Sequence, residues 1–138
     1  MSILKIARMG HPVLRMVASE VRDDEFKDPL IRKFIADMME TMHDYGGVGL
    51  AAPQVHISRR IFIVEVPQLK GRGEYEPVPL TVLINPEITA LSKDMQHNYE
   101  GCLSIPDLTG YVPRFNSIKV SYTDPDGNRI GKKFTGFP

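Results

Sequence analysis

Gly47-Val48-Gly49-Leu50-Ala51-Ala52-Pro53-Gln54 is the stretch on which the fold turns. Two glycines one residue apart suggest the start of a dinucleotide-binding fingerprint, but that motif needs a third glycine and a strand in front of it. Here the third glycine is absent and the residues ahead read as helix, so the fingerprint fails on context. The run is read instead as small residues that let the chain pack tightly against a sheet. Gln54 stands apart, because a carboxamide closing a small, apolar segment must find hydrogen-bond partners if it is buried.

Upstream of the run, Asp28 can cap a helix and Pro29 suits its first position. Leu30, Ile31, Phe34, Ile35, Met38 and Met42 then recur at spacings of three and four, which predicts an amphipathic helix to about Tyr45. Gly46-Gly47 closes it, since glycine supplies the left-handed turn that ends a helix. Residues 2–22, with Gly10-His11-Pro12, read as an extended, loop-rich arm. Downstream, Ile61 to Val66 is rich in β-branched residues and predicts a buried strand ended by Pro67. Lys70 to Pro79 reads as a surface loop.

Further strands are expected at Thr81 to Asn85, Ile88 to Leu91, Met95 to Cys102 and Ile118 to Thr123. In the last, Ile118, Val120 and Tyr122 alternate with Lys119, Ser121 and Thr123, as in a strand with one buried and one wet face. Asp124-Pro125-Asp126-Gly127-Asn128 carries the residues of a tight turn, and Arg129 to Phe134 should return antiparallel. The fold class is therefore α+β, with mostly antiparallel sheets packed around a helix.

The chain has 138 residues with 42% hydrophobic content, which suits one domain spanning 1–138. Lys plus Arg and Asp plus Glu both number 17. No global field then favours nucleic acid or an anionic membrane, and a small or neutral partner fits better. No apolar stretch approaches the ~20 residues that span a bilayer. One cysteine forms no internal disulfide and suits a reducing compartment, so the cytoplasm is the expected location.

That cysteine lies in Glu100-Gly101-Cys102-Leu103-Ser104, about fifty residues after the glycine run. Together, in this order and at this separation, the two runs resemble peptide deformylases, the metal-dependent enzymes that remove the N-formyl group from new bacterial and organellar proteins. The likeness extends from Gly10-His11-Pro12 to Lys133-Phe134-Thr135-Gly136-Phe137-Pro138. It implies that Cys102 is a metal ligand and that Gln54 and the backbone N–H of Leu103 hold the oxyanion of the reacting formyl group. Gly47 to Gly49 would lie along the substrate backbone, and Val48 and Phe137 match positions that line the methionine pocket. The implied metal is Fe2+, with Zn2+, Ni2+ or Co2+ as substitutes. The implied partners are N-formyl-methionyl peptides, including nascent chains on the ribosome.

A third family element, a helix bearing His-Glu-x-x-His with the other two ligands, is not in the sequence, which closes at Phe137-Pro138. The expectation is a truncated deformylase domain with one metal ligand of three and an exposed core that invites dimerisation or aggregation. An alternative is a decayed paralogue or binding module that holds formyl peptides without hydrolysing them.

The histidines present do not replace the missing pair by spacing. His97 stands five residues from Cys102, on the opposite face of a regular strand, and only a bulge would bring the two to one face. His43 falls near the helix end, His56 in a polar connection and His11 in the arm, so all three read as solvated. A thiol-hydrolase reading of Cys102 needs a histidine base, and the sequence nominates none. Glu100, offset by two from Cys102, shares its face; Arg114 is its candidate counterion, and an exposed carboxylate without a role is the alternative reading.

Overall fold

The structure is a computed structural model and describes residues 2–137. Helix α1 (Pro29–Asp44) begins where the Asp28 carboxylate accepts the Leu30 N–H at 2.9 Å, with Pro29 in the first turn. It ends in a Schellman turn. Gly46 takes φ +66°, its N–H donates to the His43 carbonyl at 3.0 Å, and the Gly47 N–H donates to the Met42 carbonyl at 2.9 Å. The apolar periodicity becomes a buried stripe of Ile35, Met38 and Met42.

Five antiparallel strands form the main sheet: β1 (Gly49–Ala51), β2 (Ile61–Val66), β3 (Val78–Ala90), β6 (Ser117–Thr123) and β7 (Arg129–Thr135), in the order β1-β2-β3-β6-β7. A separate hairpin pairs β4 (Met95–Cys102) with β5 (Ile105–Phe115). Single 3-10 turns occur at Pro12–Arg15, Asp23–Lys27 and Ala52–Val55. Strand alternation divides the sheet's side chains in two. Leu50, Ile61, Ile63, Val82 and Ile84 join the stripe of α1 in the principal core, while Leu83, Val120 and Tyr122 cluster with Phe62, Val64, Ile118, Ile130 and Phe134 on the other side.

Two expectations are corrected. The predicted strands Thr81 to Asn85 and Ile88 to Leu91 are one strand, β3, with a register shift between Ile84 and Glu87. Asn85 and Pro86 do interrupt the regular pattern, but the interruption is held. Asn85 sits at φ +51°, and its carboxamide accepts the Val21 N–H at 2.9 Å and donates to the Val21 carbonyl at 2.8 Å. The side chain thus bonds the arm as a strand backbone would. The second correction is β5, for which the sequence raised no strand. Its prolines and glycine hide it, and they are tolerated because β5 pairs only with β4.

Between the outer side of the sheet and the hairpin lies a cavity of about 610 Å³, lined by Phe62, Val64, Ile118 and Phe134 on one side and Met95 and Phe115 on the other. No helix among the described residues is long and apolar enough to cross a membrane.

Candidate active site

The Schellman turn of α1 delivers the chain directly into Gly47-Val48-Gly49, which pairs with β2 in the register Gly49↔Val64. Both glycines are closely approached by neighbouring side chains. A Cβ on Gly47 would sit 2.9 Å from Leu103 Cδ1, and one on Gly49 would sit 3.2 Å from Phe62 Cζ. The space the missing side chains leave is therefore occupied by Leu103 and Phe62. Close approach of Leu103 to Gly47 brings the hairpin connection against the end of α1, and the two motifs meet there.

Gln54 ends the glycine run inside the 3-10 turn Ala52–Val55. Its Oε1 accepts the Ala51 N–H at 3.0 Å, which fixes which end of the carboxamide is oxygen. Nε2 then faces the hairpin connection, 3.2 Å from Ser104 Oγ and 3.5 Å from Cys102 Sγ. Leu103 lies between them in the chain, and its N–H enters no hydrogen bond among the described residues. A carboxamide donor thus lies beside one exposed thiol, and the residue next to that thiol carries a backbone N–H without a partner among the described residues. Such a pair is suited to stabilising negative charge on a reacting oxygen.

A second cavity, of about 930 Å³, is bordered by Gly47, Val48, Gly49, Gln54, Cys102 and Leu103. Six of the seven residues that sequence reasoning nominated therefore border one space. Phe137 is the seventh. It lines the 610 Å³ cavity together with Val48 and Gly49, which, with Phe62, Glu100 and Gly101, border both spaces. Phe137 is held by Tyr75, with ring centroids 5.2 Å apart, and by the Arg72 guanidinium 4.9 Å above its ring.

Around Cys102 the hairpin ladder is irregular: Gly101 pairs with Thr109 but Cys102 with Ile105, which leaves Pro106, Asp107 and Leu108 as extra residues on β5. Glu100 and Cys102 both border the larger cavity. Arg114 is the counterion, with Nε 2.9 Å and Nη2 2.8 Å from the two Glu100 oxygens. This bidentate pair holds the Glu100 carboxyl below the usual carboxylate range.

The same irregularity does not recruit His97, which stacks on Tyr111 at 5.3 Å between centroids. Five residues of strand separate it from Cys102 by roughly 16 Å along the chain direction. His43 bonds Glu65, and His11 meets His56 edge-on at 4.6 Å, a pairing that the sequence did not suggest. Among the described residues no three His, Cys, Asp or Glu side chains are grouped to hold a metal ion. Cys102 is a chemically apt ligand, but the residues present do not complete a site around it.

Two participants escaped sequence reasoning. Ser104 is 3% exposed and carries the hydroxyl against Gln54. The arm supplies the Ala7 N–H to the Gln54 carbonyl at 2.7 Å and the Met9 N–H to the Ser104 carbonyl at 2.8 Å. Ser104's place in the Glu100–Ser104 motif was the one available signal; backbone donors leave none.

A family model described as Polypeptide deformylase matches residues 3–138. Peptide deformylase 2 of Pseudomonas syringae pv. tomato is 42% identical over 135 residues, spanning 98% of this chain and 75% of that protein. Peptide deformylase 1 of Nitrosomonas europaea is 39% identical, spanning 98% and 76%. Among solved structures, the Met-Ala-Ser-bound class I type b peptide deformylase from Acinetobacter baumannii superposes with a TM-score of 0.92 at 36% identity, covering 100% of this chain and 87% of that one. Peptide deformylase from Thermotoga maritima gives 0.83 at 39% identity, with 99% and 84% covered.

Proposed function

Because the chain belongs to the polypeptide deformylase family, hydrolases that remove the formyl group from nascent peptides, we propose that its site receives the N-formyl-methionyl end of a peptide. Hydrolysis adds water across the formyl C–N bond. Attack on the formyl carbon pushes an electron pair onto its oxygen; collapse expels the peptide amine, which takes up a proton, and releases formate. In this reading Gln54 Nε2–H and Leu103 N–H receive the negative oxygen. The observation that carries it is the Gln54 carboxamide, fixed through its oxygen at 3.0 Å and turned toward Cys102. Val48 and Phe137, on the wall of the 610 Å³ cavity, take the methionine side chain, and Gly47 and Gly49 border the peptide backbone.

The family is one of metalloenzymes, and Cys102 is assigned here as one ligand to a divalent ion, Fe2+ natively and Zn2+, Ni2+ or Co2+ in substitution. When bound, such an ion supplies hydroxide near neutral pH. The described residues hold no group of three ligands, so they do not by themselves fit the ion and no step is derived through it. The second reading is a module that holds formyl peptides without hydrolysing them. Both readings put the protein in the cytoplasm among nascent chains.

The deciding experiment measures formate release from formyl-Met-Ala-Ser by the 138-residue chain under anaerobic conditions with Fe2+, or with Ni2+. Turnover that disappears in Cys102→Ser supports the hydrolase, and Gln54→Ala should then lower the rate by about 10²–10³. Saturable binding without turnover supports the module. A chain that neither binds nor turns over the peptide refutes both.

A further inference from the structure

The Gln54 carboxamide has one oxygen and two N–H bonds; each faces a protein group, and one N–H faces only a sulfur at long range. Oε1 is taken by the Ala51 N–H at 3.0 Å. Of the two donors on Nε2, one has a good acceptor in Ser104 Oγ at 3.2 Å. The amide nitrogen is planar, so a hydrogen committed to Ser104 sends the other about 120° away, as sp² geometry dictates. Cys102 Sγ, 3.5 Å from the same nitrogen, is a weak acceptor and yields readily to a charged oxygen.

We propose that Ser104 is the positioning residue of this site: its buried hydroxyl occupies one Gln54 N–H so that the other is aimed at the reacting oxygen. The arm completes the device. Ala7 and Met9 are two residues apart on one extended segment and donate, respectively, to the backbone carbonyls of Gln54 and Ser104 at 2.7 and 2.8 Å. The arm thereby fixes the spacing between the turn that carries Gln54 and the hairpin connection that carries Ser104. Ala7 is 1% exposed, which anchors the segment against fraying. The consequence for catalysis rests on the oxyanion reading above; the tether itself does not.

The test is nitrogen-15 NMR of the full chain, observing the Gln54 side-chain NH2, identified by its disappearance in Gln54→Ala. In the wild type these protons should exchange with water about tenfold more slowly than those of free glutamine, the factor that one ordinary hydrogen bond supplies. Ser104→Ala should bring them to the free rate, and Ser104→Thr, which keeps the hydroxyl, should restore protection. Ser104→Cys keeps the volume but offers a poor acceptor and should also lose protection, which covers the case of an unfolded alanine variant. Unaltered exchange in a folded Ser104→Ala or Ser104→Cys chain overturns the proposal. The formyl proton of bound formyl-Met-Ala-Ser is then followed in the same samples. If Ser104→Ala frees the amide while Gln54→Ala leaves that proton's bound shift unmoved, the oxyanion reading fails and the tether stands without it. If both move it, the positioning role is supported.

Discussion

The two sides of the main sheet share the same strands but are packed very differently. Toward α1, Met38, Met42, Leu50, Ile63 and Ile84 are fully buried. Toward the hairpin, Phe62, Val64, Ile118 and Phe134 are only partly buried around an open cavity, and the hairpin's own Met95, Tyr99, Tyr111 and Phe115 are exposed. The helix-backed side has the ingredients of independent stability: continuous apolar contact, caps at both helix ends and a tied arm. The hairpin is held mainly by its own ladder and by a few side chains. The candidate site lies at the junction, where Gln54 comes from the firm half and Cys102 and Ser104 come from the loose one. Its geometry therefore depends on the few bonds that join the halves.

The largest effect that would test this contrast is a truncation on each side. Met38→Ala should lower the unfolding free energy by about 2–5 kcal/mol, since it opens a cavity in a closed core. Tyr99, 61% exposed and packed on Tyr111 at 5.0 Å, should cost under about 1 kcal/mol when replaced by alanine. Urea unfolding of both variants is the measurement. Losses of equal size would mean that the hairpin is as integral to the cooperative unit as α1, and the contrast would collapse.

Asn85 offers a smaller but more pointed probe, because its whole contribution is to join the arm to β3. Asn85→Ala loses both hydrogen bonds to Val21 and leaves an ordinary residue at φ +51°, for an expected cost of about 2 kcal/mol. Asn85→Gly keeps the left-handed backbone accessible and should recover roughly 1 kcal/mol of that. If the two variants were equally destabilised, the backbone conformation would contribute nothing and the hydrogen bonds everything.

What could be read in advance follows the range of the interaction concerned. The helix was legible because its cap, its proline, its apolar spacing and its closing glycines all lie within 20 residues of one another. The alternating strand around Val120 was legible for the same reason. The single strand β3 was not, because Pro86 breaks the local pattern while the compensation comes from Val21, 64 residues away. At the site, motif residues nominated Gln54, Leu103 and Cys102, which border one cavity. The contact between Gln54 and Ser104 spans 50 residues and carries no periodic signal. The irregularity at Pro106 to Leu108 opposite Gly101 and Cys102 was equally hidden, since it exists only in the pairing of two strands, one of which the sequence did not announce.

Two carboxylate–arginine pairs make the finest version of the comparison, because the chemistry is the same and only the surroundings differ. On the firm side Glu25 accepts from Arg59 at 2.7 Å and from the Arg22 N–H at 2.8 Å, and these hold its carboxyl down to about 2. On the hairpin Glu100 is also held low, chiefly by Arg114. A native value below the unfolded one means that each pair stabilises fully above the ordinary carboxylate range. The stabilisation is lost as pH falls through the native value. For Glu25 that window runs from about 4.5 down to about 2. The side chains of Glu25 and Arg59 are 18% and 25% exposed, whereas those of Glu100 and Arg114 are 33% and 63% exposed, so water screens the second pair more strongly. Glu100→Gln should therefore change stability at pH 7 by less than about 1 kcal/mol. Glu25→Gln should remove more of the acid-side slope when urea midpoints are compared at pH 5 and pH 2.5. If Glu100→Gln flattened the slope as much as Glu25→Gln, the hairpin would have to unfold together with the core, and the tether between Gln54 and Ser104 would join two parts of one cooperative unit rather than a firm half and a loose one.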